Sequence, residues 1–311
     1  MAMSDAFPYT QHHLRFGACA PFDGHQPFVV VGLPFDGAVT HRSGARMGPS
    51  AIRQASLMLC DGEHPFFNCS PWAHMGDAGD LVLPNASGLA AARQVIEAQW
   101  PRWGEHHVVA LGGDHSVTLS ILRALSRRHG RMALVHFDAH CDTWDDHFGE
   151  EEGHGTWVAQ ALEEGHVEPS QCVQIGIRSS GHWAARTHVQ RLGGAIYTAR
   201  DLRGKDGEGL QSLIDDIIER VGDTPVYLSF DIDCLDPAFA PGTGTPEPGG
   251  LTTSQVFTLL EELAPLQWVG MDCVEVAPAY DHAELTSQAA AHVVWTHLSG
   301  RVARHLESQT R

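Results

Sequence analysis

The sequence predicts an α/β protein in which a mainly parallel sheet is covered by helices on both faces. Apolar, β-branched runs alternate along the chain with amphipathic segments of helical length, which is the order expected of a parallel sheet. Polar clusters follow the ends of several strand-like runs, where open parallel sheets bind their ligands. No linker rich in Pro, Gly or Ser divides the chain, so we expect one domain over residues 1–311, with 1–25 as an N-terminal extension.

The predicted strands are the most apolar runs of the chain, and their continuous apolar character is typical of strands buried on both faces. They are Phe28–Leu33, His107–Leu111, Met132–Phe137, Cys172–Ile177, Pro225–Phe230 and Trp268–Val276. Amphipathic segments between them predict helices near Pro49–Leu57, Leu89–Gln99, Val117–His129, Glu208–Val221, Thr253–Leu263 and Ser287–His305.

Composition and charge restrict the classes of function. The formal net charge of −18 argues against a nucleic acid or an anionic membrane as partner and is compatible with a cationic substrate. The N-terminus has neither the basic nor the apolar region of a secretory signal, and no apolar run has membrane-spanning length, so we expect a cytoplasmic protein. Seven cysteines without a CxxC pair favour reduced thiols over a disulfide framework or a zinc ribbon.

Three segments place metal-ligand residue types just after predicted strands. They are LGGDHS (111–116), HFDAHCD (136–142) and FDIDCLD (230–236). Alternate residues of an extended chain project to one side, so we expect the period-two residues of the last two segments to share a pocket with the histidine of the first. The candidate ligands are His115, Asp138, His140, Asp142, Asp231 and Asp233.

Four carboxylates in one crevice must either hold protons or enclose a cation, because their mutual repulsion and desolvation are costly. Six oxygen and nitrogen donors without a thiolate exceed the needs of one tetrahedral zinc and suit two harder divalent ions. We expect manganese, although nickel, cobalt or iron would also accept these donors. Two neighbours have simpler interpretations: Asp236 precedes Pro237 and is expected to cap a turn, and His136 is expected to lie in the core or to support a ligand.

The same segments, together with SGARMGPSAIR (43–53) and VGMDCVEVAPAYD (269–281), resemble the signatures of the ureohydrolases, the arginase and agmatinase superfamily. The resemblance extends from about Val30 to the C-terminal helix, and the stretches at 43–53 and 269–281 look most like bacterial agmatinases. It implies an arginase-like α/β/α fold with an eight-stranded, mainly parallel sheet. It also implies two Mn²⁺ ions and a homo-oligomer, a trimer or hexamer.

The resemblance further implies the role of each site residue. One ion would be held by His115, Asp138, Asp142 and Asp231, and the other by Asp138, His140, Asp231 and Asp233. Metal-activated hydroxide would attack the guanidine carbon, and Asp142 would pass a proton to the departing amine. His154, in GHGTW, matches the family's proton-shuttling histidine. Glu275 would receive the guanidinium as a charge-assisted partner.

The substrate prediction depends on the loop between Asp142 and His154. This loop contains no Lys or Arg and five acids, Asp145, Asp146, Glu150, Glu151 and Glu152. We therefore expect a cationic tail, as in agmatine, with urea and putrescine as products. A guanidino acid such as 4-guanidinobutyrate or 3-guanidinopropionate is the alternative if Arg42, Arg46 or Arg178 reaches the site, and arginine is less favoured.

Two other classes of function fit less well. A two-metal phosphoesterase would need Arg, Lys or helix N-termini around its phosphate, whereas these motifs supply acids. A non-catalytic scaffold would have no use for His154 and Glu275 beside a complete set of ligands.

Overall fold

The computed structural model describes residues 10–11, 14–146, 149 and 151–310. Its strands are β1 (Thr10–Gln11), β2 (Ala20–Pro21), β3 (Phe28–Leu33), β4 (Met75–Leu81), β5 (His107–Gly112), β6 (Met132–Phe137), β7 (Val167–Ile177), β8 (Ala195–Thr198), β9 (Val226–Asp231) and β10 (Trp268–Val274). Its α-helices are α1 (Gly48–Ser56), α2 (Leu89–Gln99), α3 (Val117–His129), α4 (Trp157–Glu163), α5 (Trp183–Arg186), α6 (His188–Arg191), α7 (Gln211–Val221), α8 (Thr253–Glu262) and α9 (Leu285–Thr310).

The strands form one ten-stranded sheet in the order β1-β4-β3-β5-β10-β9-β6-β7-β8, with β2 beside β4. The eight strands from β4 to β8 along this order all pair in parallel. β1 adds an antiparallel edge of two residues. The prediction of a mainly parallel, eight-stranded sheet is therefore confirmed for its main part, and the two-residue strands β1 and β2 extend one edge.

Helices cover both faces of the sheet, as predicted. Alternate residues of β3 enter two different apolar clusters, Val30 in one and Val29 and Val31 in the other. The first cluster also contains buried residues of α1, α7, α8 and α9, and the second contains residues of α2, α3 and α4. The strands are thus buried on both faces, which explains their continuous apolar character.

Strands β4 and β8 and the helices α4 to α6 were not predicted. The sequence of β4, MGDAGDL, contains glycine and aspartate, which are both depleted in strands. Gly76 is required there, because a Cβ at this position would lie 2.6 Å from Phe22 Cα. The strand predicted from Cys172 begins five residues earlier, at Val167.

The described part of the predicted N-terminal extension packs against β4. β2 pairs with this strand, and the Phe16 amide donates to Asp77 Oδ2 at 2.7 Å. Residues 1–9 and 12–13 of the extension lie outside the described residues. All seven cysteines are free thiols, as expected. Across the described ranges, no helix is long and apolar enough to cross a membrane.

The Arg53 side chain joins α1 to β4 and is almost fully buried. Its guanidinium donates two hydrogen bonds to Asp77, at 2.8 and 2.9 Å, and one to Asp80, at 2.5 Å. We expect Arg53→Met to lower the free energy of unfolding by about 3–5 kcal/mol, because Asp77 would remain buried without its cation. Urea titration followed by circular dichroism measures the change. Arg131→Met, which removes an exposed arginine paired with Glu168, is the control and should change stability by less than about 1 kcal/mol.

Candidate metal centre and active site

The predicted site residues lie at the carboxyl ends of four adjacent strands, β5, β10, β9 and β6. His115 follows β5, Asp138 follows β6, Asp231 ends β9 and Glu275 follows β10. Parallel pairing aligns these four ends at one edge of the sheet, so residues that are far apart in sequence become neighbours. The predicted convergence at one rim is confirmed.

The local geometry differs from the extended chain on which the period-two argument relied. The segment after β6 bends at once, and Asp142 has a φ of 51°. Asp233 lies in a short 3₁₀ turn, and the backbone amide of Asp233 donates a hydrogen bond to Asp231 Oδ1 at 2.8 Å. The interpretation by alternation was therefore wrong in mechanism: turns after the strands, not pleating, bring the side chains together.

One group of donors surrounds Nδ1 of His115. This nitrogen lies 3.1 Å from Asp138 Oδ2, 3.2 Å from Asp142 Oδ2 and 3.1 Å from Asp231 Oδ2. It is buried, yet it makes no hydrogen bond of acceptable geometry. A buried nitrogen that faces three carboxylate oxygens without bonding to any of them fits a set of donors for one shared cation.

The opposite side of the His115 ring explains why Nδ1 can face a cation. Ser229 Oγ donates to Asp272 Oδ1 at 2.8 Å, so its oxygen accepts from His115 Nε2 at 2.8 Å. Asp272 also accepts from the hydroxyls of Thr118 and Tyr227. With the proton fixed on Nε2, Nδ1 keeps its lone pair toward the three carboxylates. A carboxylate that orients a histidine through its second nitrogen is typical of metal ligands.

A second group of donors surrounds Nδ1 of His140. This atom lies 3.2 Å from Asp138 Oδ1 and 3.0 Å from Asp233 Oδ2. Asp138 therefore directs one oxygen to each group, the arrangement expected of a carboxylate that bridges two ions. The second oxygen of Asp233 accepts from the Ala139 amide at 3.0 Å, which fixes the rotamer.

Without cations, only protons can balance this cluster. Burial and the neighbouring carboxylates raise the pKa of Asp142 and of Asp231 well above the usual range. Burial opposes a charged imidazole at His115, but the surrounding carboxylates prevail and hold its pKa well above its ordinary value. Protons and metal ions thus compete for the same positions, and metal affinity should fall as pH decreases.

His136 and Asp236 have the supporting roles expected of them. Nδ1 of His136 accepts a hydrogen bond from the side-chain nitrogen Nε2 of Gln174 at 3.1 Å, so the ring proton is on Nε2. His136 Nε2 donates this proton to Asp138 Oδ2, which lies 2.8 Å away. The Asp236 carboxylate accepts hydrogen bonds from the backbone amides of Ala238, at 2.9 Å, and Gly249, at 2.7 Å. It therefore closes the loop after β9 and faces away from the ligand groups.

Glu275 lies beside the metal-binding donors with one oxygen occupied and one without a partner. Its Oε1 accepts from the His115 amide and from His154 Nδ1, each at 2.9 Å. Its Oε2 is buried and has no hydrogen-bond partner among the residues that the structure describes. The residue has a φ of 62°, a conformation that costs a non-glycine residue free energy and is concentrated at functional sites. An unpaired, buried carboxylate oxygen is a suitable receptor for a cationic group.

His154 links Glu275 to the segment around Thr40. The Thr40 amide donates to His154 Nε2 at 3.1 Å, an arrangement that fits the tautomer with its proton on Nδ1. Burial disfavours a charged ring, but Glu275 outweighs it and raises the pKa of His154 to about 9. When Nε2 takes up the second proton it loses the bond from the Thr40 amide and can donate instead to Thr40 Oγ1, 2.9 Å away. The side chain lines the cavity next to Asp142, so it can exchange a proton between the interior and the opening.

The donors open into a cavity of about 590 Å³. The residues that line it include the proposed ligands His115, His140, Asp142 and Asp231 and, in addition, Trp144, His182 and Glu247. Neither lysine nor arginine is among the described residues of the lining. The cavity is therefore electrically suited to a cation.

The three arginines considered for the site have other partners. Arg46 pairs with Asp36, and the Arg42 guanidinium lies 5.1 Å from the centre of the Tyr280 ring. Arg178 donates to backbone carbonyl oxygens, among them those of Asp233 at 2.8 Å and Glu247 at 3.0 Å. None of the three thus supplies a receptor for the carboxylate of a guanidino acid.

The structure does not support the acidic-loop argument for the loop acids that it describes. Of the loop acids that the structure describes, Asp145, Asp146, Glu151 and Glu152, none lines the cavity. Glu152 pairs instead with Arg93 on α2. Glu150 lies outside the described residues. The acid that reaches the cavity without a predicted role is Glu247, more than ninety positions from that loop.

Comparison with known proteins identifies the class. The chain matches the Arginase family over residues 26–299 and belongs to that family, and it is an amidinohydrolase. It is 41% identical over 303 residues to an agmatinase of Neisseria meningitidis serogroup C, with 94% of this chain and 91% of the relative covered.

Solved structures share the fold. A hypothetical agmatinase from Burkholderia thailandensis has a TM-score of 0.81 at 37% identity and covers 91% of this chain and 88% of its own. Proclavaminate amidino hydrolase from Streptomyces clavuligerus has a TM-score of 0.86 at 35% identity. The match covers 95% of this chain and 99% of that structure's chain. The expected resemblance to ureohydrolases and the arginase-like fold are confirmed.

Proposed function

We propose that this protein hydrolyses agmatine to putrescine and urea at a pair of divalent metal ions, for which manganese is the best match to the donors. The observation that carries the metal assignment is His115 Nδ1, held toward three carboxylate oxygens at 3.1–3.2 Å by the Ser229–Asp272 hydrogen bonds. The substrate assignment rests on relatives named agmatinase and on a cavity lined by acids and histidines.

The proposed ligands follow the two groups of donors. His115, Asp138, Asp142 and Asp231 would hold one ion, and Asp138, His140, Asp231 and Asp233 would hold the other. Paired divalent ions lower the pKa of water toward neutrality and so make hydroxide available for attack on a carbon that resists bulk water. The hard, thiolate-free donors favour manganese, and nickel, cobalt or iron would also fit.

Three side chains would then act on the substrate. Glu275 Oε2, buried and unpaired, would receive the guanidinium and hold its carbon in position. Asp142 Oδ2, which accepts from Trp157 Nε1 at 2.7 Å, would pass a proton to the departing amine. His154 would return protons from the cavity opening.

The first test is urea release by the Mn²⁺-loaded protein with agmatine, arginine, 4-guanidinobutyrate, 3-guanidinopropionate and free guanidine compared at equal concentrations. We expect agmatine to give the highest kcat/KM. Preference for a guanidino acid would keep the chemistry and overturn the substrate. No urea from any of the five, with two metals bound, would overturn the proposed function.

We also propose, from the resemblance to ureohydrolases, that the chain is a single catalytic domain that assembles as a cytoplasmic homo-oligomer, a trimer or hexamer. Size-exclusion chromatography with light scattering measures the mass of the assembly. A mass equal to one chain of 33.8 kDa would contradict the oligomer.

Removing the Ser229 hydroxyl should weaken metal binding, although none of the proposed metal ligands is changed. Ser229→Ala leaves His115 Nε2 without its partner, so we expect the dissociation constant for Mn²⁺ to rise by about 10- to 100-fold. Calorimetric titration of the metal-free protein measures it. Thr118→Val is the matched control, because the Thr118 hydroxyl donates to the same Asp272, whereas Thr118 meets His115 only through a backbone amide that valine keeps. Equal effects of the two variants would contradict the orienting role.

A further inference from the structure

The cavity contains an acid whose position is fixed by the backbone around it. Glu247 lies between Pro246 and Pro248, and its carbonyl oxygen accepts from Arg178 Nε at 3.0 Å. The Arg178 guanidinium also donates to the carbonyl oxygens of Asp233 and Leu235. The segment that presents Glu247 is therefore tied directly to the segment that presents a candidate metal ligand, and two proline rings restrict its backbone.

The Glu247 side chain lies one imidazole ring away from the candidate metal centre. Its Oε1 is 4.0 Å from His140 Nε2, while the opposite ring nitrogen of His140 faces Asp138 and Asp233. Two residues earlier, Thr245 Oγ1 donates to Asp233 Oδ2 at 3.4 Å. A separation of 4.0 Å is too long for a hydrogen bond, so the Glu247 carboxylate is not committed to His140.

A substrate whose guanidino group is bound at the metals would extend its tail along the cavity. An extended chain of six bonds, as between the guanidino carbon and the terminal nitrogen of agmatine, spans roughly 7 Å. With the guanidinium at Glu275 and the metals, the tail would extend into the cavity whose lining includes His140, Thr245 and Glu247. The Glu247 side chain is 34% exposed, so it can meet a solvated ammonium without being fully desolvated itself.

We propose that Glu247 is the specificity-determining residue that selects a cationic tail on the guanidino substrate, an inference that rests on the proposed amidinohydrolase reaction. Its carboxylate attracts the tail ammonium of a diamine derivative and repels the carboxylate of a guanidino acid. The described cavity lining offers no lysine or arginine to reverse this preference. Selection of the tail is thereby separated from the groups that handle the guanidinium.

The test uses three substrates that differ in tail charge: agmatine, n-pentylguanidine, in which a methyl group replaces the ammonium, and 4-guanidinobutyrate. Glu247→Gln keeps the size of the side chain and removes its charge. We expect kcat/KM for agmatine to fall about tenfold, the size of a charge-assisted contact reduced by partial exposure. We expect the value for n-pentylguanidine to stay within about twofold and the value for 4-guanidinobutyrate to rise.

Glu151→Gln is the matched control, since it removes the same charge from the loop and lies outside the cavity lining. It should leave the ratio of agmatine to n-pentylguanidine unchanged. Equal losses for all three substrates in Glu247→Gln would overturn the proposal and indicate that Glu247 acts through His140. The proposal would also be overturned if Glu151→Gln lost the preference for agmatine over n-pentylguanidine while Glu247→Gln kept it.

Binding provides a readout that is independent of turnover. Calorimetric titration of the metal-loaded protein with putrescine and with n-pentylamine, neither of which can be hydrolysed, should show tighter binding of putrescine, and Glu247→Gln should abolish the difference. If no substrate releases urea but this difference is present and is lost in the variant, the proposed reaction fails and tail selection stands. If urea is released and the difference is absent, tail selection alone fails.

Discussion

Replacing Asp231 by alanine should abolish metal loading and urea release together. Asp231 Oδ2 faces His115 Nδ1 at 3.1 Å, and the proposed centre uses this residue for both ions. Changing residues that merely support a ligand already costs 10- to 100-fold in affinity or activity. We therefore expect Asp231→Ala to lower kcat/KM by more than about a hundredfold, with less than two metals per chain by elemental analysis.

A second substitution at Asp231 distinguishes loss of a metal ligand from damage to the turn after β9. Asp231 Oδ1 caps the turn by accepting the Asp233 amide at 2.8 Å, and an asparagine can keep that bond while removing the charge. Asp231→Asn should therefore lose metal as Asp231→Ala does while it retains the thermal midpoint of the metal-free protein. Asp215→Ala, an exposed acid on α7, controls for the change in net charge. Two tightly bound metals in Asp231→Asn would remove this residue from the ligand set.

Glu275→Gln is expected to keep both metals and to lose turnover. The amide oxygen of glutamine can still accept from the His115 amide and His154, but the buried Oε2 becomes an NH₂ group that repels a guanidinium. Removing one group that stabilises charge at a reacting centre typically costs 10²–10³ in kcat, and we expect a loss of about that size. Metal analysis and steady-state kinetics on the same preparation measure both effects.

Two outcomes would count against this role for Glu275. An unchanged kcat/KM would exclude the residue from substrate binding. Loss of metal would indicate that the Oε1 contact with the His115 amide is needed to shape the metal site. Glu261→Gln on α8, where the carboxylate is partly buried but remote from the cavity, is a control for replacing a carboxylate by an amide.

Much of the candidate site could be predicted because ligand-type residues follow runs that only a strand would explain. His115, Asp138 and Asp231 lie within a few positions of a strand end, so the parallel sheet alone brings them together. The supporting residues gave weaker signals. Asp272 was not predicted, although it is a charged residue within the otherwise apolar run WVGMDCV, and that contrast is the signal that could have indicated a buried role.

Positions that depend on a loop conformation could not be predicted in the same way. The acids between Asp142 and His154 adjoin the site in sequence, yet the described ones point elsewhere, because neighbours in a loop share no common direction. Glu247 was overlooked within a Pro/Gly-rich stretch that signals only a turn. The left-handed backbone of Glu275 is likewise set by tertiary contacts and has no sequence signature. β4 was missed because its Gly and Asp serve packing and the Arg53 ion pair.

The order of the four central strands also determines when the chain could bind the proposed metal ions. β5 and β6 are synthesised early, but the strands placed between them, β10 and β9, come from the last third of the chain. Until Asp231 and Asp233 have left the ribosome, the nascent chain offers at most His115 and the residues of 138–142. Binding of the proposed metal ions would therefore be a late event that follows synthesis of at least residues 1–233 of the 311, and a truncated chain that ends before β9 would have an incomplete centre.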